Sequence, residues 1–541
     1  MSVAVRQMLD KVFTALTAAT VILLSLVLLA ILGPMIYRGS GAVVFKGTVE
    51  WRKMQLALFK RGDADALKVE LDKIQEHRDF VYQRIQEFKQ GVNPEALSDR
   101  ARKIHREFGQ QLRERDVSGN RYSELRSLSR DLRNSLESAF ESDSSEQVAA
   151  HLEEVLQYQN DERLAGTVAA EFFPMAASYQ KAVQKIDFGA REKYAESLAE
   201  IEGVIGELFG PRRDEAPPAL VRLRFGATRW DRGMELLDKL LYAERWVEVE
   251  PGEPLIKKRY PREELFAGTD LEPVFGYVSE NLPKMLRPRL TFYWQYFIDD
   301  NYNSHYFGGV GPEILGTLLI TVVAMVVVMP LGLISAAYLV ECSSDNYAIR
   351  IIRMCINTLA GVPSIVFGLF GLAFFVLYLF PIFGLPSKAC ILAASLTLAV
   401  LTLPVMIRAS EEAIRAVPPA YKEASLALGA SHFRTFMTVI LPAALPGILT
   451  GVILSLSRVA GETAPILFTG AVSMGPVPDS LLDPTRTLSY GSYNIAVGDR
   501  LSMMVPHKQY GMVVTLILLI LCLNGLAIVL RSRVFKKLKG Q

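Results

Sequence analysis

The chain contains no Gly-Lys dipeptide, so it cannot supply the G-x-x-x-x-G-K-[ST] loop that cradles nucleotide phosphates. Cysteine is scarce: four residues in 541, Cys342, Cys355, Cys390 and Cys522, all in or beside apolar stretches. Their spacing matches no zinc site. The long polar segment before them has none, which excludes a disulfide framework there. The six histidines are scattered, which reads as surface or packing residues rather than a ligand set. An excess of charge of one sign is missing too: the formal net charge is +2, and nothing points to a nucleic-acid partner.

What is present is segregation. Half the residues are hydrophobic and 21% are charged, and the two populations occupy different parts of the chain. A helix that crosses a bilayer needs about 20 apolar residues, and several stretches qualify. Residues 12–37 form the first. Arg6 and Lys11 precede this run, so a signal peptide is the competing reading. A run of roughly 25 apolar residues exceeds a signal core and no A-x-A-like cleavage site follows, so an uncleaved anchor is expected.

Residues 38–250 are polar and helical by periodicity. Leu67, Leu71, Ile74, Val81, Ile85 and Phe88 form a coiled-coil-like stripe ending at Gly91, with Arg78 filling the one heptad gap. Asn93–Pro94 starts a second stripe, Leu97, Ala101, Ile104, Phe108 and Leu112. A third runs Leu125, Leu128, Leu132, Leu136, Phe140, and a fourth Tyr194, Leu198, Ile201, Ile205, Leu208, stopping at Gly210–Pro211. An antiparallel helical bundle or hairpin is expected. From Pro251 to residue 310, proline, glycine and aromatics become frequent, which suggests an irregular linker or small lobe without a catalytic constellation. A core of five further spans occupies 311–530: Ile314–Val340, Cys355–Phe380, the shorter Cys390–Met406, Ile448–Val472 and Met512–Leu530. Residues 531–541 are a basic tail. The fold class is therefore all-α, a polytopic membrane protein with six transmembrane helices and a helical insertion.

Lysine and arginine in the short loops orient the spans. With residues 1–37 entering from the cytoplasm, the inside segments hold Arg6, Lys11, Arg350, Arg353, Arg408, Arg415, Lys422, Arg434, Arg531, Arg533, Lys536, Lys537 and Lys539. The outside loops hold only Lys388, Arg486, Arg500 and Lys508. The 38–310 insertion then lies outside, and both termini lie inside.

The cytoplasmic loop at 411–442 is the most informative stretch. Pro418–Pro419 opens a short amphipathic helix, since proline in the first turn loses no needed hydrogen bond. The loop reads Glu423-Ala424-Ser425, three residues, Gly429, nine residues, then Val439-Ile440-Leu441-Pro442. This resembles the EAA loop of binding-protein-dependent ABC-importer permeases, with Ser425 and Val439 as conservative departures. GGVGPEILGTLLITVVAMVVVMPLGLISAAYLVE, LAGVPSIVFGLFG and LPAALPGILTGVILSLSRVAGETAPILFT are similar to the PstA family of phosphate permeases. The likeness covers about 308–472 closely, the first and last spans loosely, and the insertion not at all.

The resemblance implies a type I importer permease that transports inorganic phosphate and forms half of the pathway. It implies four partners besides membrane lipid: a PstC-like second permease, two PstB-like ATPase subunits and a periplasmic PstS-like phosphate-binding protein. This chain would itself be no enzyme and hold no cofactor; ATP and Mg would be bound by the ATPases. Glu423, Ala424, Ser425, Gly429, Leu441 and Pro442 would belong to the coupling surface.

Arg458 and Glu462 lie inside the apolar segment that follows, four residues apart and expected on one helix face. Ionisable residues at that depth are expensive and usually face a pathway or a partner. A structural ion pair is one reading. The other, which the resemblance favours, is that Arg458 presents its fork to a phosphate anion while Glu462 restrains it. Gly361, Pro363 and Ser364 interrupt the third span, either for packing or to line the path. Two rivals stay open: a permease for another oxyanion or small solute, and a membrane sensor with an outer helical domain.

Overall fold

Apolar stripes spaced three and four residues apart are buried only when helices pair along them, and in the unit Lys46–Leu290 they do. The computed structural model describes residues 3–92, 95–115, 117, 119–142, 145–183, 191–212, 217–247, 255–303, 305–343, 346–498 and 504–538. The expected helix start at Asn93–Pro94, the Pro251–Pro254 stretch, Arg500 and Lys539 lie outside these, as do the side chains of Arg6 and Lys537.

Two hydrophobic cores organise this unit. In one, the helix Ala64–Val92 packs along Arg191–Phe209, Trp230–Leu241 and Glu272–Leu286, burying Val81, Ile85, Leu198, Ile205, Leu240 and Val278. In the other, Glu95–Glu114 and Asn120–Glu141 pair with Ser145–Leu156 and Phe172–Val183 around Phe108, Leu136, Phe140 and Tyr179. The first stripe's helix runs past Gly91 to Val92. The composition of 251–310 suggests irregular structure, but Glu272–Leu286 is a regular helix with Val274, Phe275, Val278, Leu282 and Leu286 on its core face. A two-stranded antiparallel ribbon, Tyr242–Val247 with Ile256–Pro261, precedes it.

The heptad gap at Arg78 has a specific occupant. Its guanidinium donates to Glu50 Oε1 at 2.7 Å and to the carbonyls of Phe209 and Met285 at 3.1 and 3.0 Å. Glu50 is fully buried. Burial alone would raise its carboxyl, but Arg78 and Lys53 beside it hold it below the usual carboxylate range. One cation thus ties three helices and the helix Val49–Phe59 together where a leucine would tie one.

The second unit comprises Met1–Phe45 and Thr291–Gln541. Six of its helices are long and apolar enough to cross a membrane: Lys11–Ser40, Gly311–Cys342, Ser364–Ile382, Ile391–Arg415, His432–Gly461 and Pro506–Lys536. The fourth is the central one. Gly332 of the second lies against Met406, and Gly447 and Gly451 of the fifth lie against Ala413 and Ala409. Small residues here allow backbones to approach without a hydrophobic drive between helices. The first span leaves its side chains exposed from Phe13 to Leu29 and packs on the last span through its C-terminal part, where Gly39 lies against Tyr510 and Val514.

Two spans differ from the hydropathy reading. Instead of one helix over Cys355–Phe380, Tyr347–Leu359 ends and Ser364–Gly371 begins anew, separated by a turn at 360–363. The fifth starts well before Ile448: Ser431 caps a helix at His432, which continues through Pro442 and Pro446 to Gly461. A widened turn just before Pro442, with Leu441 N–H bonded to Phe436 O, accommodates the proline. The chain then leaves helical geometry at Glu462, and Ala464–Thr469 follows as a separate helix. Hydropathy detects neither break because the flanking residues are apolar.

Removing the Arg78 charge should expose the cost of burying Glu50 alone. Arg78→Leu is expected to destabilise the helical unit by about 3–5 kcal/mol, seen as a lower urea midpoint of the full chain in detergent. Adding Glu50→Gln should recover part of that loss. An unchanged midpoint in the single variant would show that the pair holds nothing together.

Candidate functional site

The break after Gly461 defines the charged site. Arg458 sits in the last turn of the helix Leu441–Gly461, where the exposed carbonyl ends favour a cation. Glu462 is already extended, with φ −73° and ψ 134°, so the pair does not share a helix face. It forms nonetheless, with Arg458 Nε 3.4 Å from Glu462 Oε1. The Glu462 carbonyl accepts from the Ser489 hydroxyl at 3.3 Å, and Ser457 bonds Asn524 of the last span at 2.8 Å. Among the described residues Arg458 has no polar partner other than Glu462, and a third of its side chain is exposed (36%). One carboxylate satisfies part of a guanidinium fork, and the remaining donors are available to an anion.

Ser364 opens the helix that follows the other break, directly after Pro363, and is half-buried. That helix packs on Ala464–Thr469, with Gly368 against Pro465 and the Ala464 carbonyl. Gly371 is pressed against Thr397 of the fourth span. The two broken segments are therefore neighbours, although no hydrogen bond links Ser364 to Arg458 or Glu462.

The loop residues divide by environment. Glu423 and Ala424 are exposed on the helix Pro419–Ala427. Ser425 faces inward and bonds Thr435 at 2.9 Å, fastening the two loop helices to each other. Gly429 has φ +80°, the left-handed geometry that ends the first helix and that glycine adopts without strain. Leu441 and Pro442 lie inside the long fifth helix rather than on the loop. Lys422 pairs with Glu341, at the end of the second span, at 2.6 Å. Leu428 and Phe433 project outward, 89% and 75% exposed. The loop thus exposes a carboxylate, Glu423, and two large apolar side chains, Leu428 and Phe433.

A further cluster escapes the sequence reading. At the opposite ends of the spans, Glu313, His305, Lys508, Arg486 and Asn301 are all buried. Lys508 Nζ donates to the carbonyls of Phe307 and Gly308 at 2.9 and 3.2 Å, holding the ribbon Asn301–Tyr302 with Phe307–Gly308. Arg486 pairs with Asp300 at 2.6 Å, and Asn301 donates to Glu313, whose other oxygen has no partner among the described residues. His305 Nδ1 lies 3.8 Å from Glu313. Lys508 and Arg486 read as ordinary loop charges and His305 as a lone histidine. The available signal was an acid and a base at the same depth: Glu313 is the third residue of its span and Lys508 the third of its own.

Burial, then the Lys508 and Arg486 charges, push His305 down to about 3. A depressed histidine favours folding fully above its unfolded value of about 6.5. That contribution falls as pH drops from there towards 3. The full chain in detergent should therefore melt lower at pH 5.5 than at pH 7.5, and His305→Asn should remove most of that difference. An equal difference in the variant would assign the pH effect elsewhere.

Comparison with known proteins places these features. Residues 328–540 match the family described as "Binding-protein-dependent transport system inner membrane component". The chain is 34% identical over 247 residues to the "Probable ABC transporter permease protein YqgI" of Bacillus subtilis, covering 43% of this chain and 80% of that protein. It is 40% identical over 175 residues to the "Phosphate transport system permease protein PstA 1" of Mycobacterium tuberculosis, 32% of this chain and about half (55%) of that one. Among solved structures, an inward-facing form of the MetNI methionine ABC transporter aligns at 20% identity with a TM-score of 0.34, over 42% of this chain and 95% of that chain.

Proposed function

We propose that this chain, which belongs to the binding-protein-dependent transport system inner membrane component family, is the PstA-like permease of an ATP-driven importer of inorganic phosphate. As a family member it is a multi-pass membrane permease subunit of an ABC importer. The finer reading is carried by one observation: a single unbroken helix, His432–Gly461, joins the exposed loop at one end to the Arg458–Glu462 break at the other. At 1.5 Å per residue such a helix spans about 45 Å, so a push at the loop arrives at the charged pair. The relatives named for phosphate transport support the choice of substrate.

In this mechanism the loop is cytoplasmic and the insertion lies on the outer, periplasmic side of an inner membrane. A PstS-like protein delivers phosphate outside, and a PstC-like permease completes the pathway. Two PstB-like ATPases bind ATP and Mg, one on each permease loop. Glu423, Leu428 and Phe433 dock the motor, while Lys422–Glu341 ties the loop to the second span, so that both spans move together. Phosphate passing the break meets the free donors of Arg458. Glu462 competes for the same guanidinium and keeps the anion from being held too tightly, because conduction requires binding weak enough to release.

Arg458→Gln should abolish phosphate uptake in proteoliposomes while the complex still assembles and hydrolyses ATP; unimpaired uptake would make the pair structural. Leu428→Ser with Phe433→Ser should reduce recovery of the ATPase with the permease by at least about ten-fold, the loss of two buried apolar anchors. Undiminished recovery would remove the loop from the interface. Substrate choice is checked by competition: excess sulfate or phosphonate should leave phosphate uptake unchanged.

A further inference from the structure

Within the unit Lys46–Leu290, beside the Arg78 junction, basic side chains converge on one cavity of about 630 Å³. Lys73, His77, Lys284, Arg287 and Arg289 line it, and none of its lining residues is acidic. Behind it, the Glu70 carboxylate is buried and accepts from Arg52 in a two-pronged pair at 2.9 and 2.8 Å. Arg287 and Arg289 lie farther from the same carboxylate, at 3.6 and 3.3 Å. Glu70 is thus shared by three guanidinium groups, and Lys73 and Lys284 add positive charge along the lining, which makes the cavity wall electropositive.

The backbone at this wall is held in place deliberately. Arg287 caps the helix Glu272–Leu286 with φ +44°, a left-handed geometry that a residue with a Cβ rarely adopts. Its carbonyl accepts from Arg52 Nη2 at 3.0 Å, so the Arg52–Glu70 pair also clamps the turn. Pro288 follows and restricts Arg287 further. On the helix Ala64–Val92, Lys73 and His77 are four residues apart and face the same cavity, while His77 Nδ1 is bonded to Tyr277 OH at 2.8 Å. Glycine would make the same turn without strain. Arg287 thus ends the helix in a geometry strained for a residue with a Cβ, and lines the cavity beside the Arg52–Glu70 pair.

We propose that this cavity is a binding site for a phosphate-type oxyanion. The geometry suits a multiply charged group: several forked or point donors approach from two helices and a turn, and guanidinium forks match tetrahedral oxyanions. The volume admits more than one phosphate group, so pyrophosphate or a phospholipid headgroup fits the same chemistry as inorganic phosphate. The proposal stands apart from the transport role, because none of its residues lies in the spans.

The test uses the full chain in phosphatidylcholine nanodiscs, titrated calorimetrically with inorganic phosphate and with pyrophosphate. Arg287→Gly keeps the left-handed turn and removes the whole side chain with its guanidinium, and because glycine adopts that turn without strain the variant should fold at least as well as the parent. Binding should weaken about ten-fold in Arg287→Gly and again in Lys284→Gln, and should fall with added salt. Arg458→Gln, made in parallel, should leave this binding intact even where it stops transport. Nanodiscs containing phosphatidylglycerol separate the sources: suppression of pyrophosphate binding identifies a headgroup as the resident anion, and undiminished binding identifies a soluble one. Absence of binding by the parent chain, or equal binding by Arg287→Gly and Lys284→Gln, would overturn the proposal.

Discussion

A backbone inside hydrocarbon has no water to bond its amides and carbonyls, so it stays helical unless protein surrounds it. Both interruptions in this chain fall at the ends of such helices: the largely exposed turn at 360–363 precedes Ser364–Ile382, and the half-buried Glu462–Thr463 follows His432–Gly461. The turn at 360–363 and the extended residues Glu462–Thr463 are followed by short helices that pack on each other through Gly368 and Pro465. Cys390 N–H bonds the Thr469 carbonyl at 2.8 Å, and Thr485 N–H bonds Gly470 O at 3.0 Å, so chain from the next segments takes up the groups that the second broken helix releases. Irregular backbone at that depth is where a permease can place polar groups at its path.

The same constraint explains the unbroken fifth helix. Pro442 and Pro446 each remove an amide donor, yet a widened turn precedes the first and the helix continues past the second to Gly461. Its two ends then have different chemistry. One end carries small residues, a glycine turn and bare apolar side chains; the other carries a half-exposed guanidinium. At the ends of the spans opposite the loop, Lys508, Glu313 and Arg486 are buried together, and Lys508 ties the ribbon Asn301–Tyr302 with Phe307–Gly308 to the span packing.

The helical unit rests on a comparable compromise. A buried ion pair is weak evidence of stability, since hydrophobic replacements of similar volume are often as good. Arg78 does what leucine cannot: it pairs with Glu50 and satisfies two helix-end carbonyls at Phe209 and Met285. It thereby specifies where three helix termini meet. The basic cavity lies along the same helix, one to two turns before Arg78.

Local properties were legible in the sequence because they depend on neighbours a few residues away. Hydropathy over about 20 residues counts the spans, and the spacing of Leu67 to Leu208 marks the helices and the faces they bury. The loop spacing around Gly429 requires the turn found there. Arg458 and Glu462 stood out as charges in an apolar run. Where the helices stop was not legible in this way: the turn at 360–363 closes on its own local hydrogen bonds, and at the second break the Glu462 carbonyl is taken up by Ser489, distant in sequence. The partners of Glu50, Lys508 and Arg287 were likewise invisible. They lie roughly 30 to 200 residues away, and no local pattern records which buried charge will meet which.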